Sequence, residues 1–279
     1  MKKYVAFVLA GLAVCLCTQL SFAKVIHRWS FAKDGSDSVG KANAKLNPGA
    51  TVKEGRLVLD GESGYVELPI GATIEKLGSS TFEAWVTWDE MQGAWSRIFD
   101  FGSGQQANIF LTPRQGNPGE GGTPDTPRLA ITNAGWQEEQ QLNTTAAFPV
   151  GKQVHVAVTI DAEKKVGKLY IDGKEVSTVE MTLKPSDLGN TNANYLGGSQ
   201  YVDTDPVFKG SFAEFRIYDT ALSADEIAQS GKAGPDQLGS KAPTAGASSG
   251  SGNASSTQAS SGSQERRRLF GGRLFRRRR

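Results

Sequence analysis

A chain of 279 residues with 38% apolar content can build one large β domain or two small ones, and its 33 glycines favour many turns over long helices. The formal net charge of +2 is a sum of opposites, because the last fifteen residues carry eight arginines and one glutamate and leave the rest of the chain net acidic. Both cysteines, Cys15 and Cys17, fall in the first 23 residues, which excludes a disulfide framework, a thiolate zinc site and a cysteine nucleophile from everything after them.

Residues 1–23, MKKYVAFVLAGLAVCLCTQLSFA, place two lysines before an apolar run and end in the small-x-small site Ser21-Phe22-Ala23. This predicts a secretory signal peptide, since the run is shorter than the roughly 20 residues a spanning helix needs. The mature protein is therefore expected to be secreted, periplasmic or cell-surface associated. Residues 24–31 alternate as a first strand, with His27, Trp29 and Phe31 on one face and Ile26, Arg28 and Ser30 on the other. A loop follows over 33–47, with Asp34-Gly35 and Ser36-Asp37-Ser38 as its turn chemistry. Two short strands flank Glu54-Gly55, and a third starts at Tyr65 and stops at Pro69.

Residues 81–89 alternate Phe82, Ala84, Val86 and Trp88 against Thr81, Glu83, Trp85 and Thr87. Strands are then expected over 97–102 and 108–112, a Gly/Pro-rich surface loop over 113–127, and further strands over 128–132 and 138–142. The most regular stretch, residues 154–176, reads strand, turn, strand, turn, strand, with Val154, Val156, Val158 and Ile160 on one face and Asp172-Gly173 as a tight hairpin turn. It is expected to be the unit on which the sheet is built. After Tyr195 and Tyr201 comes a last strong strand over 208–218. A short helix over 221–228 is then marked by Ser223 as N-cap and Glu226 three residues on. The boundaries predicted are a leader over 1–23, one globular domain over 24–231, a flexible low-complexity linker over 232–265 and an Arg-rich tail over 266–279.

Read together, HRWSF, LVLDGESGYVELP, TFEAWVTWD, WSRIFDFG, FLTPR, VHVAVTID, LYIDGKEV, NYLGGSQY and GSFAEFRIYDTALSADEI resemble, in order, the bacterial LamG-like domains of the laminin G / concanavalin A-like lectin/glucanase group. The resemblance covers about residues 24–230. It implies an all-β jelly-roll β-sandwich of two antiparallel sheets, here with a short C-terminal helix and a disordered tail. The residues alone lead to the same sandwich, through many short strands separated by turns.

Enzymes share this fold, and retaining glycosidases need two carboxyls roughly 5 Å apart. The E-x-D-x-E strand of those relatives is missing, and Glu83 and Asp89 have no acid between them. His155, in VHVAV, reads as a packed sheet residue, so no catalytic residue is assigned. The resemblance also implies a structural Ca2+ held by Asp34 and Asp37 near the first strand and by Glu214 on the closing strand. That closing motif often reads Asp-Glu where this chain has Ala213-Glu214. The alternative leaves Asp34 and Asp37 capping turns and Glu214 facing solvent.

A pyranose presents a C–H face and a rim of hydroxyls, so a sugar site needs aromatic platforms beside polar groups. Trp95, Trp136 and Tyr201 are the aromatics nearest loops, with Arg114, Asn133 and Gln200 as polar partners. Trp29, Trp85 and Trp88 sit within strand patterns and are expected in the packing. In the tail, Arg266, Arg267, Arg268, Arg273, Arg276, Arg277, Arg278 and Arg279 would attach the protein to an anionic polymer or membrane surface, without specific nucleic-acid recognition. The leading expectation is a secreted, non-enzymatic module binding a glycan or glycoprotein at a cell surface or matrix. A secreted adhesion or structural protein that binds another protein, and a divergent glycoside hydrolase or polysaccharide lyase, are the alternatives.

Overall fold

Period-two alternation becomes pleated sheet through most of the computed structural model, which describes residues 24–89, 93–116 and 125–238. The leader, the low-complexity stretch beyond residue 238 and all eight tail arginines lie outside these residues. In chain order the elements are β1 (Val25–Trp29), β2 (Lys45–Leu46), β3 (Ala50–Lys53), β4 (Arg56–Asp60), β5 (Val66–Glu67) and the one-turn α1 (Gly71–Ile74). There follow β6 (Ser80–Trp88), β7 (Phe99–Gly102), β8 (Asn108–Thr112), β9 (Arg128–Thr132) and β10 (Gln140–Asn143). The chain continues through β11 (Gln153–Asp161), β12 (Val166–Ile171), β13 (Lys174–Glu180), β14 (Ala193–Leu196), β15 (Lys209–Tyr218) and α2 (Ala224–Ala233).

Two antiparallel sheets result, the all-β sandwich that the alternation predicted. The first runs β13-β12-β11-β6-β15-β4-β3, and β1 pairs with β15 beyond the end of β4. The second runs β10-β9-β8-β7-β14-β5-β2. Hairpin turns sit where the dipeptides placed them: Glu54-Gly55 (φ 52° and 72°) and Asp172-Gly173 (φ 49° and 76°) both take the left-handed backbone that a two-residue hairpin requires. The β11 to β13 unit forms as read, but at one side of its sheet. The middle belongs to β6 and β15, each paired along most of its length with neighbours on both sides.

Between the layers Phe82 and Phe215 of the first sheet meet Phe99 and Phe101 of the second, with ring centroids 5.3 to 6.0 Å apart. The expected inward face of β6 (Phe82, Ala84, Val86, Trp88) and that of β11 (Val154, Val156, Val158, Ile160) both enter this core. The opposite face of the first sheet is covered as well. Helix α2 begins at the predicted capping box, Ser223 with Glu226, and lays Ile227 against Ala157, Tyr170, Tyr218 and Leu222. It runs on to Ala233, five residues past the expected end, and stops at Gly234 (φ 85°).

Beneath α2 lies a buried polar network that the sequence did not suggest. Glu83 accepts hydrogen bonds from Tyr218 Oη (2.7 Å) and Arg216 Nη1 (3.3 Å) and pairs with His155 Nε2 (2.8 Å). Arg216 also contacts Glu214 through Nε, donates to the Gln237 carbonyl (2.9 Å) and stands 4.4 Å over the Trp85 ring. Burial alone would raise the Glu83 carboxyl, but the hydrogen bond and charge of His155, with the charge of Arg216, hold it below its ordinary value. His155 is thus a packed sheet residue, as read from VHVAV.

Candidate functional site

The second sheet turns its other face to a cover of loops. Ile109 and Leu111 of β8 and Leu129 and Ile131 of β9 enter the core, so Phe110 and Arg128 point outward by alternation. Three loops converge over them. The segment before β7 brings Trp95 and Arg97, the 3₁₀ turn at Trp136–Glu138 brings Trp136 with Glu139 behind it, and the stretch after β14 brings Tyr201, Thr204 and Asp205. Together these residues line a pocket of about 410 Å³, within the range of about 300–1,000 Å³ usual for small-molecule sites.

Its geometry is held from behind. Trp95 adopts φ 76°, a left-handed conformation uncommon for a bulky residue, and its N–H is held by the Arg114 carbonyl (2.8 Å). Gly116 leaves room for the indole, since a Cβ there would lie 2.9 Å from Trp95 Nε1. The Arg97 guanidinium stacks 3.6 Å from the centroid of Phe110 and donates from Nη2 to Asp205 Oδ2 (2.7 Å), which Ser199 Oγ also reaches (2.6 Å). Arg97 Nε is 3.7 Å from Asp100 Oδ2, and Nη1 has no hydrogen-bond partner among the described residues. Arg128 donates from Nε to Asn143 Oδ1 (2.8 Å), has Glu139 Oε2 3.9 Å from Nη1, and lies 5.2 Å from the Trp95 ring.

Burial pushes the Asp100 carboxyl up to about 7, against the pull of the Arg97 charge and of the Gln200 N–H that it accepts (3.0 Å). Burial likewise raises Asp205, with Arg97 opposing.

The three loop aromatics read from the sequence, Trp95, Trp136 and Tyr201, therefore share one opening. Their expected polar partners do not. Arg114 turns away to Asp125 (2.5 Å), Asn133 stands exposed in the turn after β9, and Gln200 is spent on the Gly104 N–H and the Ala193 carbonyl. Arg97 and Arg128 take their place. Each precedes an apolar strand run, RIFDFG and RLAIT, where a charged residue reads as solvated; only the cluster of aromatics around them marks them in retrospect.

The donor set expected for calcium is not assembled. Asp37 accepts from the backbone N–H groups of Arg28, Val39, Gly40 and Ala42 and pairs with His27 (2.6 Å), while Asp34 caps the Ser36 N–H at the surface. Glu214 is buried rather than solvent-facing, and its oxygens are taken by Arg28 (2.7 and 2.9 Å), Arg216 and the Asp236 N–H (2.7 Å). At Glu214 two guanidinium groups stand where a cation would bind. Among the described residues no three His, Cys, Asp or Glu come together as a metal site.

A family profile for the concanavalin A-like lectin/glucanases superfamily matches residues 60–228, more than half of the chain. Among similar solved structures is domain 4 of AbnA, a GH43 extracellular arabinanase from Geobacillus stearothermophilus, in complex with arabinotriose. It has 24% identity and a TM-score of 0.60 over 74% of this chain and 97% of that one. The CBM40 of Ruminococcus gnavus IT-sialidase, bound to α2,3 sialyllactose, has 22% identity and a TM-score of 0.52 over 62% of this chain and 94% of its own. Trypanosoma rangeli sialidase in complex with sialic acid has 18% identity and a TM-score of 0.55 over 73% of this chain, which spans 32% of that enzyme. No curated protein sequence matches. At these identities the likeness is one of fold.

Proposed function

Because the chain belongs to the concanavalin A-like lectin/glucanases superfamily, we propose that it is an exported carbohydrate-binding module with its sugar site at Trp95, Trp136 and Tyr201. The observation that carries this reading is the convergence of three aromatic rings from separate loops with the Arg97–Asp205 pair around one opening. Rings accept the C–H face of a sugar while guanidinium and carboxylate groups take its hydroxyls. Two fold neighbours solved with oligosaccharides, arabinotriose and sialyllactose, support it. Binding without cleavage is the reading the acids favour. Asp205 is engaged by Arg97 and Ser199, Glu139 lies beside Arg128, and Asp100 is sealed beneath Gln200.

Trp136 is 53% exposed, so Trp136→Ala tests the site without disturbing the fold. It is expected to weaken oligosaccharide binding at least ~10-fold in calorimetry, as removal of an aromatic anchor does, with an unchanged melting temperature and no reducing-sugar release by either protein. Equal affinity in the variant would remove the pocket from consideration. In the same proposal the leader exports the chain and the arginine-rich end attaches it to an anionic surface. Binding of the full chain to anionic vesicles should then fall steeply from low to high salt, and a flat response would refute that attachment.

A further inference from the structure

Two pairs of opposite charge border the pocket, and in each the carboxylate is the more exposed partner. The Asp205 side chain is 8% exposed against 3% for Arg97, and that of Glu139 is 7% against 3% for Arg128. The Arg97 guanidinium is held inward over Phe110, and its unpartnered nitrogens, Nε and Nη1, are sealed from solvent. Asp205 is held differently. Its Oδ2 takes the bonds from both Arg97 Nη2 (2.7 Å) and Ser199 Oγ (2.6 Å), whereas Oδ1 accepts none among the described residues and is not sealed off. The open polar atom of this pair is therefore an acceptor. A carboxylate oxygen has lone pairs and no proton to give, so it is completed by a ligand that donates.

Resting on the sugar-binding reading above, we propose that the pocket selects an uncharged saccharide unit, one of whose hydroxyls donates to Asp205 Oδ1 while its ring lies among Trp95, Trp136 and Tyr201. A hydroxyl donates where an ionised carboxylate or sulfate can only accept. An acidic sugar would bring its charge against Asp205 and Glu139, which are more exposed than the cations that balance them. It would also give up hydration without gaining an open guanidinium in return. Asp205 then determines specificity in two ways: its free oxygen rewards a donor, and its charge turns an anion away.

The test is calorimetry on the full chain in about 0.5 M NaCl, where salt screens the pull of the tail arginines on anions. Cellotriose, mannotriose, galactotriose, xylotriose and arabinotriose serve as neutral probes, and triglucuronate, trigalacturonate and sialyllactose as acidic ones. At least one neutral probe is expected to bind about tenfold or more tighter than every acidic probe, the difference that one hydrogen bond to a charged group makes. Asp205→Asn should weaken that neutral probe by about tenfold and, by leaving Arg97 without its counter-charge, strengthen the acidic ones, so that the gap closes from both sides. Should Asp205→Asn not fold, the comparison on the unaltered protein decides. Equal or tighter binding of an acidic probe overturns the selection and leaves the sugar site standing. An unchanged gap in the variant, or a loss shared equally by all probes, overturns the role of Asp205. Binding of none of the probes overturns the sugar site itself.

Discussion

Arg216→Leu, on β15 beneath α2, is expected to lower the melting temperature by about 10 °C or more, the largest stability loss of any single change in the buried network there. The substitution takes one of three partners from each of two buried acids, leaving Glu83 with His155 and Tyr218 and Glu214 with Arg28 and the Asp236 N–H, and Arg216 is itself fully buried over Trp85. Breaking a buried pair by removing one partner costs about 3–5 kcal/mol, and each kcal/mol moves the midpoint of a domain this size by roughly 2–4 °C. The Gln237 carbonyl loses its donor too, so the segment after α2 should become more sensitive to protease. Scanning calorimetry with limited proteolysis reads both effects. A loss under ~1 kcal/mol would mean that the network only fills space.

Asp100→Asn should stabilise the protein at pH 8 and flatten its stability between pH 5 and 8. The Asp100 carboxyl has its folded pKa raised from 3.8 to about 7 by burial, so the folded state holds a proton that the unfolded state releases. Its contribution is therefore complete below about pH 3.8 and is lost as the pH rises through about 7. A shift of this size corresponds to a few kcal/mol at most, reduced in the variant by the weakened attraction to Arg97. Glu83, Glu214 and Asp37, all lowered, act in the other direction. Their contribution is present above the ordinary carboxylate range and disappears as the pH falls through the folded values. Stability of the unaltered protein should accordingly peak in mildly acidic solution. Melting curves from pH 4 to 9 check this, and an unchanged slope in Asp100→Asn would show that another group carries it.

Alternation made the layers legible. Phe82, Ala84, Val86 and Trp88 enter the core as read, and so do the valines of β11, because one face of a strand must be apolar whatever its neighbours are. Ser223 and Glu226 announced α2 for an equally local reason. Strand order was not legible, since the partners of β15 come from residues 25–29, 56–60 and 80–88, and no local signal links them. The same limit hid the second buried face of the first sheet. Trp85 was expected in the packing and is buried, but Glu83 beside it alternates as a solvent-side residue would, and only the return of α2 over this face makes its surroundings dry. At the pocket, loop aromatics were recognisable because a large ring among polar residues is unusual. Arg97 and Arg128 were not, because a guanidinium beside a strand is ordinary until three rings close around it. Asp37 and Glu214 illustrate the converse: carboxylates in plausible order for a cation turned out to be filled by N–H groups from their own surroundings.

The position of β15 has a consequence for how the molecule comes into being. This strand lies between β6 and β4 and also receives β1, so the first and last strands of the described residues are neighbours in the middle of one layer. During synthesis β6, β11, β12 and β13 can pair by residue 180, but β6 keeps an open edge until residues 209–218 have emerged to join them to β4, β3 and β1. Completing the layer is then a late event, limited by closing loops that span nearly the whole domain, and is expected to be slow for a protein of its size.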